Sequence, residues 1–197
     1  MYGYEETIEL AATRRGLTLL LGGLDTGKTI MAQRIAAVGI DAGLMVGLVD
    51  ADVGQSCVGP PTTVGLRLCR TRDDLNRESL VKADQLYFTG STSPQGHVLP
   101  LVVGTRLMVD RARAEGAELV VVDTTGLVTG VYAQVLKYQK VSLLQPDLII
   151  GLERGAELEP LLGIVRRFFA AEVVTLPVHP EVVPTSVEQR ALNREDA

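Results

Sequence analysis

Residues 22–29 read Gly-Gly-Leu-Asp-Thr-Gly-Lys-Thr, directly after the apolar run 17–21 and directly before a stretch with helical spacing. In that context the pattern G-x-x-x-x-G-K-[ST] wraps successive backbone N–H groups around phosphate oxygens. It confines the chain to folds in which a buried strand hands over at once to a helix N-terminus. Gly22, Gly23, Leu24, Asp25, Thr26, Gly27, Lys28 and Thr29 are therefore the expected ATP-binding loop, with Lys28 a point charge and Thr29 a hydroxyl for Mg²⁺. The competing reading is a glycine turn that binds nothing, and the strand-then-helix setting argues against it.

The rest of the chain repeats that alternation. Short, largely apolar runs at 17–21, 44–49, 85–88, 119–122, 148–152 and 173–176 predict buried strands, and 28–37, 99–114, 131–144 and 158–169 predict helices. Parallel strands need crossovers, and helical crossovers cover both faces, so the expected fold is α/β: a P-loop NTPase with a mostly parallel sheet. Ligands then bind at the carboxyl ends of the strands. That rule collects 22–29, 50–55, 90–97, 123–126 and Glu153-Arg154 along one rim, with Glu153, Arg154 and 177–180 beside the base of a nucleotide. Gly59, Pro60, Pro61 and Gly65 break the chain after the second strand, so 53–72 reads as an active-site loop rather than a regular element.

With 197 residues, 46% hydrophobic, and a mean hydropathy of +0.21, the chain can fill one core. The expectation is a single domain over 1–197, with 185–197 a lid helix or tail. A net charge of −5 supplies no global basic field for nucleic acid. The two cysteines, Cys57 and Cys69, have neither metal-ligand spacing nor disulfide density and read as reduced thiols. The start has no signal-peptide core and the apolar runs are strand-sized, so a soluble cytoplasmic protein with no membrane contact is expected.

Two loops bring carboxylates to the rim. In Asp50-Ala51-Asp52-Val53-Gly54-Gln55, strand alternation sends Asp50 and Asp52 to one side, where one serves the metal or accepts the proton of an attacking hydroxyl and the other can be a turn-forming cap. Asp123-Thr124-Thr125-Gly126 ends an apolar strand in an acid, as P-loop enzymes do beside the phosphates. Its D-x-x-G letters also occur in GTPases, but the N/T-K-x-D tetrapeptide of guanine specificity is absent. Gly90-Ser91-Thr92-Ser93-Pro94-Gln95-Gly96-His97 is either a helix-capping loop or a substrate loop in which Ser93, Gln95 and His97 hold a phosphate or a base. His179, among prolines, reads as structural.

Together these stretches resemble the polynucleotide 5′-hydroxyl kinase family, which includes the RNA kinase of pre-mRNA cleavage and tRNA splicing, the nucleolar pre-rRNA-processing kinase, and archaeal and bacterial relatives. The resemblance runs from about Leu17 to Arg194. It implies ATP-dependent phosphoryl transfer to the 5′-hydroxyl end of RNA or DNA, with Mg²⁺ held by Thr29, Asp52 and Asp123. The family's D-x-x-Q motif looks like Asp52 with Gln55, which makes Asp52 the general base and Lys28 and Gln55 catalytic partners. Its T-x-G-W clasp looks like Thr124-Thr125-Gly126-Leu127, with leucine in place of tryptophan. Thr124 and Gly126 then also touch ATP, and Thr124 and Leu127 touch the acceptor. Its R-x-x-x-R lid looks like Arg190 and Arg194. No obligate protein partner is implied for this chain. Other readings of the same residues are an ATP-binding scaffold without catalysis, a GTP-dependent switch or metallochaperone-like NTPase, and a small-molecule kinase.

Overall fold

The structure, a computed structural model, describes residues 3–182. Helix α1 (Tyr4–Arg14) precedes strand β1 (Gly16–Gly22) and helix α2 (Lys28–Asp41), followed by β2 (Val46–Ala51). Then come β3 (Thr63–Cys69), a short 3₁₀ turn and the one-turn helix α3 (Arg77–Leu80), and β4 (Gln85–Phe88). The second half alternates: α4 (Val98–Ala114), β5 (Leu119–Thr124), α5 (Val131–Leu144), β6 (Leu148–Glu153), α6 (Glu159–Phe168) and β7 (Glu172–Pro177).

All seven strands form one sheet in the order β4-β3-β2-β5-β1-β6-β7. The five strands β2, β5, β1, β6 and β7 run parallel, as the alternation with helices requires. The central ones are apolar on both sides because both sides are covered. Leu17, Leu19 and Leu21 of β1 face α4, α5 and α6, packing with residues such as Leu101, Leu136 and Leu162. Leu20 points the other way, to Ile8 of α1 and Met31 and Ile35 of α2.

Three features depart from the expected layout. Residues 63–69 are not loop but β3, paired antiparallel to β2 with Asp50 opposite Gly65, and β4 pairs antiparallel to β3 with Thr63 opposite Phe88. The alternation Val64, Leu66, Leu68 is a strand pattern, which Gly65 and the turn formers at 59–62 obscure. Gly65 is there for contact: a Cβ at that position would lie 2.1 Å from the carbonyl oxygen of Val58. Strand β2 continues through Asp50 and Ala51, so Asp50 is part of the sheet. Helix α1 has no counterpart in the sequence reading; its buried Thr7, Ile8, Ala11 and Ala12 make only a narrow apolar stripe. Because β4 runs antiparallel to an antiparallel strand, its carboxyl end returns to the same rim as those of β1, β2, β5 and β6. The 90–97 loop therefore does arrive beside 52–55, where a Cβ at Gly54 would be 2.9 Å from the Thr92 carbonyl oxygen.

Candidate active site

The phosphate loop between β1 and α2 is tightly held. Lys28 Nζ donates to the Gly23 carbonyl at 2.7 Å, and the Thr26 hydroxyl donates to the same oxygen at 3.1 Å. Arg154, at the end of β6, donates from its two terminal nitrogens to the Leu24 and Asp25 carbonyls at 3.1 and 2.5 Å. The exposed guanidinium thus braces the outer side of a loop in which Asp25 takes a left-handed φ of 49°. Gly126 presses on the same loop from the β5 side: a Cβ there would lie 2.8 Å from the Leu24 nitrogen.

The Thr29 hydroxyl donates to Asp123 Oδ2 at 2.5 Å, and Asp123 Oδ1 is buried with no hydrogen-bond partner among the described residues. Burial raises the Asp123 carboxyl above the ordinary carboxylate range, against the pull of the Lys28 charge and the Thr29 hydrogen bond. A hydroxyl and an unsatisfied carboxylate oxygen side by side form a hard oxygen donor set that suits Mg²⁺, which keeps most of its waters and needs few protein ligands. The described residues contain no cluster of three or more His, Cys, Asp or Glu arranged around a metal position.

The two acids after β2 separate by geometry. Asp50 is buried and accepts from the backbone N–H groups of Asp52, Cys57 and Val58 and from the Ser56 hydroxyl, so it ties together the loop that follows it. Burial, with the charges of Asp123 and Asp52, pushes its carboxyl up to about 7. Asp52 is half-buried at the rim, where Oδ1 accepts from Gly54 and Gln55 N–H at 3.2 and 3.3 Å, leaving Oδ2 without a hydrogen bond among the described residues. Gln55 beside it is exposed.

Thr124, expected to touch ATP and the acceptor, lies at the end of β5. It is fully buried; its hydroxyl donates to the Leu20 carbonyl at 2.7 Å and accepts from Lys137 Nζ at 2.7 Å. Its hydroxyl thus ties the end of β5 to β1 and α5 beneath the rim. Leu127 is half-buried in the next loop. On the 90–97 loop, the Ser93 hydroxyl accepts from Gln95 N–H and His97 Nδ1 lies 3.1 Å from the Gln95 carbonyl oxygen. These local bonds shape the loop; Ser93 and Gln95 stay exposed and His97 half-exposed. His179 packs edge-on against Tyr4 at 5.3 Å between ring centres. Arg190 and Arg194 lie outside the described residues.

Sequence reasoning missed two lysines under the site. Lys137 and Lys140 on α5 are fully buried. Lys137 Nζ donates to Thr124 Oγ1 and to the Thr125 carbonyl at 2.6 Å, and burial holds its ammonium well below the usual lysine range. Lys140 Nζ has no hydrogen-bond partner among the described residues. The signal was present: Ala133, Leu136, Lys137, Lys140, Val141 and Leu144 are the buried stripe of α5, and the two lysines sit in its middle. The bracing role of Arg154 left no such trace, because it depends on where two strand ends meet.

A parallel core sheet, a glycine-rich loop delivering a lysine and a threonine, and an acid at the end of the neighbouring strand define the P-loop nucleotide-binding proteins. Within that class, residues 22–197 match the sequence profile described as mRNA cleavage and polyadenylation factor CLP1 P-loop, and the chain belongs to that family. It is 40% identical over 144 residues to a polyribonucleotide 5′-hydroxyl-kinase of Methanocaldococcus jannaschii, covering 73% of this chain and 39% of the relative. A second enzyme of that name, from Pyrococcus furiosus, is 36% identical over 156 residues, covering 78% and 42%. The chain thus spans less than half the length of these relatives. Among solved structures, the wild-type Clp1p–Pcf11p complex superposes with a TM-score of 0.79 at 10% identity, covering 98% of this chain and 52% of that one, which shows a shared fold.

Proposed function

We propose that the chain is the kinase domain of a polyribonucleotide 5′-hydroxyl kinase, moving the γ-phosphoryl group of ATP to the 5′-hydroxyl end of RNA. The observation that carries the reading is the meeting, at one rim, of the phosphate loop, the Thr29–Asp123 pair and the half-buried Asp52 with one carboxylate oxygen uncommitted. The names of the relatives at 40% and 36% identity favour RNA as the acceptor class.

The N–H groups of residues 23–29 cradle the β- and γ-phosphates, and Lys28 exchanges the Gly23 carbonyl for phosphate oxygen. Thr29 and Asp123 would hold Mg²⁺, the latter through water, and the ion when bound supplies charge stabilisation on the phosphates. Asp52 accepts the proton of the 5′-hydroxyl as its oxygen bonds to the γ-phosphorus and the bond to the bridging β–γ oxygen breaks, releasing ADP. Asp50 keeps the 52–58 loop in place, Gln55, Ser93, Gln95, His97 and Leu127 would meet the acceptor, and Arg190 and Arg194, outside the described residues, would by the family resemblance neutralise the transferring group. The described residues contain no helix long and apolar enough to cross a membrane.

The test is transfer of γ-labelled phosphate from ATP with Mg²⁺ to matched RNA and DNA oligonucleotides bearing 5′-hydroxyls. Lys28→Ala is expected to abolish labelling together with ATP binding. Asp52→Ala is expected to retain ATP binding and lose about 10² to 10⁴ in rate. Full activity in Asp52→Ala removes the general-base assignment, and ATP binding without any transfer by the wild-type protein removes the kinase reading.

A further inference from the structure

Single apolar side chains on a protein surface are ordinary, and it is their grouping that carries information. Among the described residues the three most exposed large apolar side chains are Val131, Leu99 and Phe88, at 75, 74 and 73%. All three lie at the rim of the site: Val131 opens α5, Leu99 stands in the first turn of α4, and Phe88 ends β4. Phe88 is the aromatic one. Its neighbour Tyr87 lies against α4, where a Cβ at Gly104 would be 2.3 Å from the Tyr87 ring, so Phe88 points to the other face of the sheet. Its ring is 3.8 Å from where a Cβ of Gly90 would stand, at the root of the 90–97 loop.

This strand end is fastened to the loop that carries Asp52. The Thr89 N–H and hydroxyl both donate to the Thr62 carbonyl, at 2.8 and 2.7 Å, and the Thr92 carbonyl meets Gly54 further on. From Phe88 to Thr92 the chain reaches at most about 14 Å, a length that about four stacked nucleotides span. Along the same loop the Ser91 hydroxyl accepts from Ser93 N–H and the Ser93 hydroxyl accepts from Gln95 N–H, and no described acceptor takes the proton of either. Each hydroxyl therefore keeps a donor for a phosphate oxygen, a usual contact to a nucleic-acid backbone.

We propose that Phe88 is a stacking platform for the acceptor strand. The base of one of the first few nucleotides beyond the 5′ end lies on its exposed ring, with the intervening phosphates on the Ser91 and Ser93 hydroxyls. The proposal deepens the kinase reading and rests on it for the identity of the strand. A ring takes any base by its π-face and needs no basic groove, which suits a chain of net charge −5. A protein strand laid along β4 is the competing occupant, and an edge of four residues is too short to template such pairing.

The test exploits the absence of tryptophan from the chain. Phe88→Trp places one indole at the platform, and Phe168→Trp places one at a similarly exposed position on the carboxyl end of α6, away from the rim. A 5′-hydroxyl RNA hexamer, titrated without nucleotide or metal, should quench the emission of the first saturably and leave that of the second unchanged. In steady state, Phe88→Ala should lower kcat/KM for the hexamer about fivefold to a hundredfold, with KM for ATP within about twofold of wild type, and Phe88→Tyr should restore most of the loss. Removing the bases of the second to fifth nucleotides should cost the wild-type protein more than it costs Phe88→Ala, by about that same factor. A kcat/KM in Phe88→Ala equal to wild type overturns the proposal. So does an abasic penalty identical in the two proteins, because the ring then serves the shape of the 90–97 loop rather than a base. If the wild-type protein transfers nothing and the hexamer still quenches Phe88→Trp, the kinase reading falls and the platform stands. If transfer proceeds with no quenching, the platform falls, the kinase reading stands, and the exposed patch is a protein-facing one.

Discussion

At the scale of single residues, this site is built from groups that share their bonds between holding the rim together and meeting a ligand. Thr29 gives its proton to Asp123 Oδ2 while both keep oxygen toward the phosphate side. Thr29→Val should therefore weaken Mg²⁺-dependent nucleotide binding about tenfold or more, readable by titration with ATP in the presence and absence of the metal, and leave metal-free binding nearly unaltered. Asp50 gives the site a pH dependence of known sign. Burial raises its folded pKa to about 7, above the ordinary carboxylate value of an unfolded chain, so its contribution to stability is greatest below that ordinary value and is lost as pH rises toward 7. Asp50→Asn removes that titration. In protein free of nucleotide and metal, the melting temperature of the variant relative to wild type should rise between about pH 4 and pH 7, by roughly 5 °C or more. A difference that is flat across this window refutes the assignment of Asp50 as a buried acid.

At the scale of elements, the strand-loop-helix units of the parallel core were legible because each carries its own signal: an apolar run, a breaker, then helical spacing. The phosphate loop, the Asp50–Asp52 pair and Asp123 are placed at the rim by that local grammar, while the choice of Asp52 over Asp50 comes from the family resemblance. Long-range pairing was not legible. Strand β3 reads as loop in the sequence because Gly65 looks like a breaker, whereas its missing side chain is what lets Val58 lie against β3. Lys137 and Lys140 belong to no motif, and only their place in the apolar stripe of α5 marks them as buried. Two substitutions act on elements rather than on reacting groups. Gly65→Ala must push back the 53–62 loop that carries Asp52, so transfer should fall at least about fivefold with Asp52 itself untouched. Arg154→Ala releases the brace between β6 and the phosphate loop, and the expected result is a several-fold weaker ATP affinity, about 1 kcal/mol, with little change in melting temperature. An ATP dissociation constant identical to wild type removes the bracing role.

At the scale of the whole molecule, one sheet with two separately packed faces carries every loop of the site on one edge, so ligand binding there should stabilise the fold as a unit. At a hundredfold excess over its dissociation constant, ATP with Mg²⁺ should add about 2.7 kcal/mol, a rise of roughly 5 to 10 °C in melting temperature, and Lys28→Ala should abolish the rise. The same architecture sets an order of assembly. The hydroxyl of Tyr4 on α1 donates to the carbonyl of Pro177 at the end of β7, Arg14 pairs with Glu172, and Arg14 also reaches the Asp147 carbonyl. The partners of these two α1 residues lie 133 residues or more further along the chain. Loop-closure entropy makes such contacts slow to form, and during synthesis β7 is made long after α1. Helix α1 leaves the ribosome well before these partners and is consequently among the last of the described elements to be fully moored, and until it is, the apolar underside of α2 has only a provisional cover.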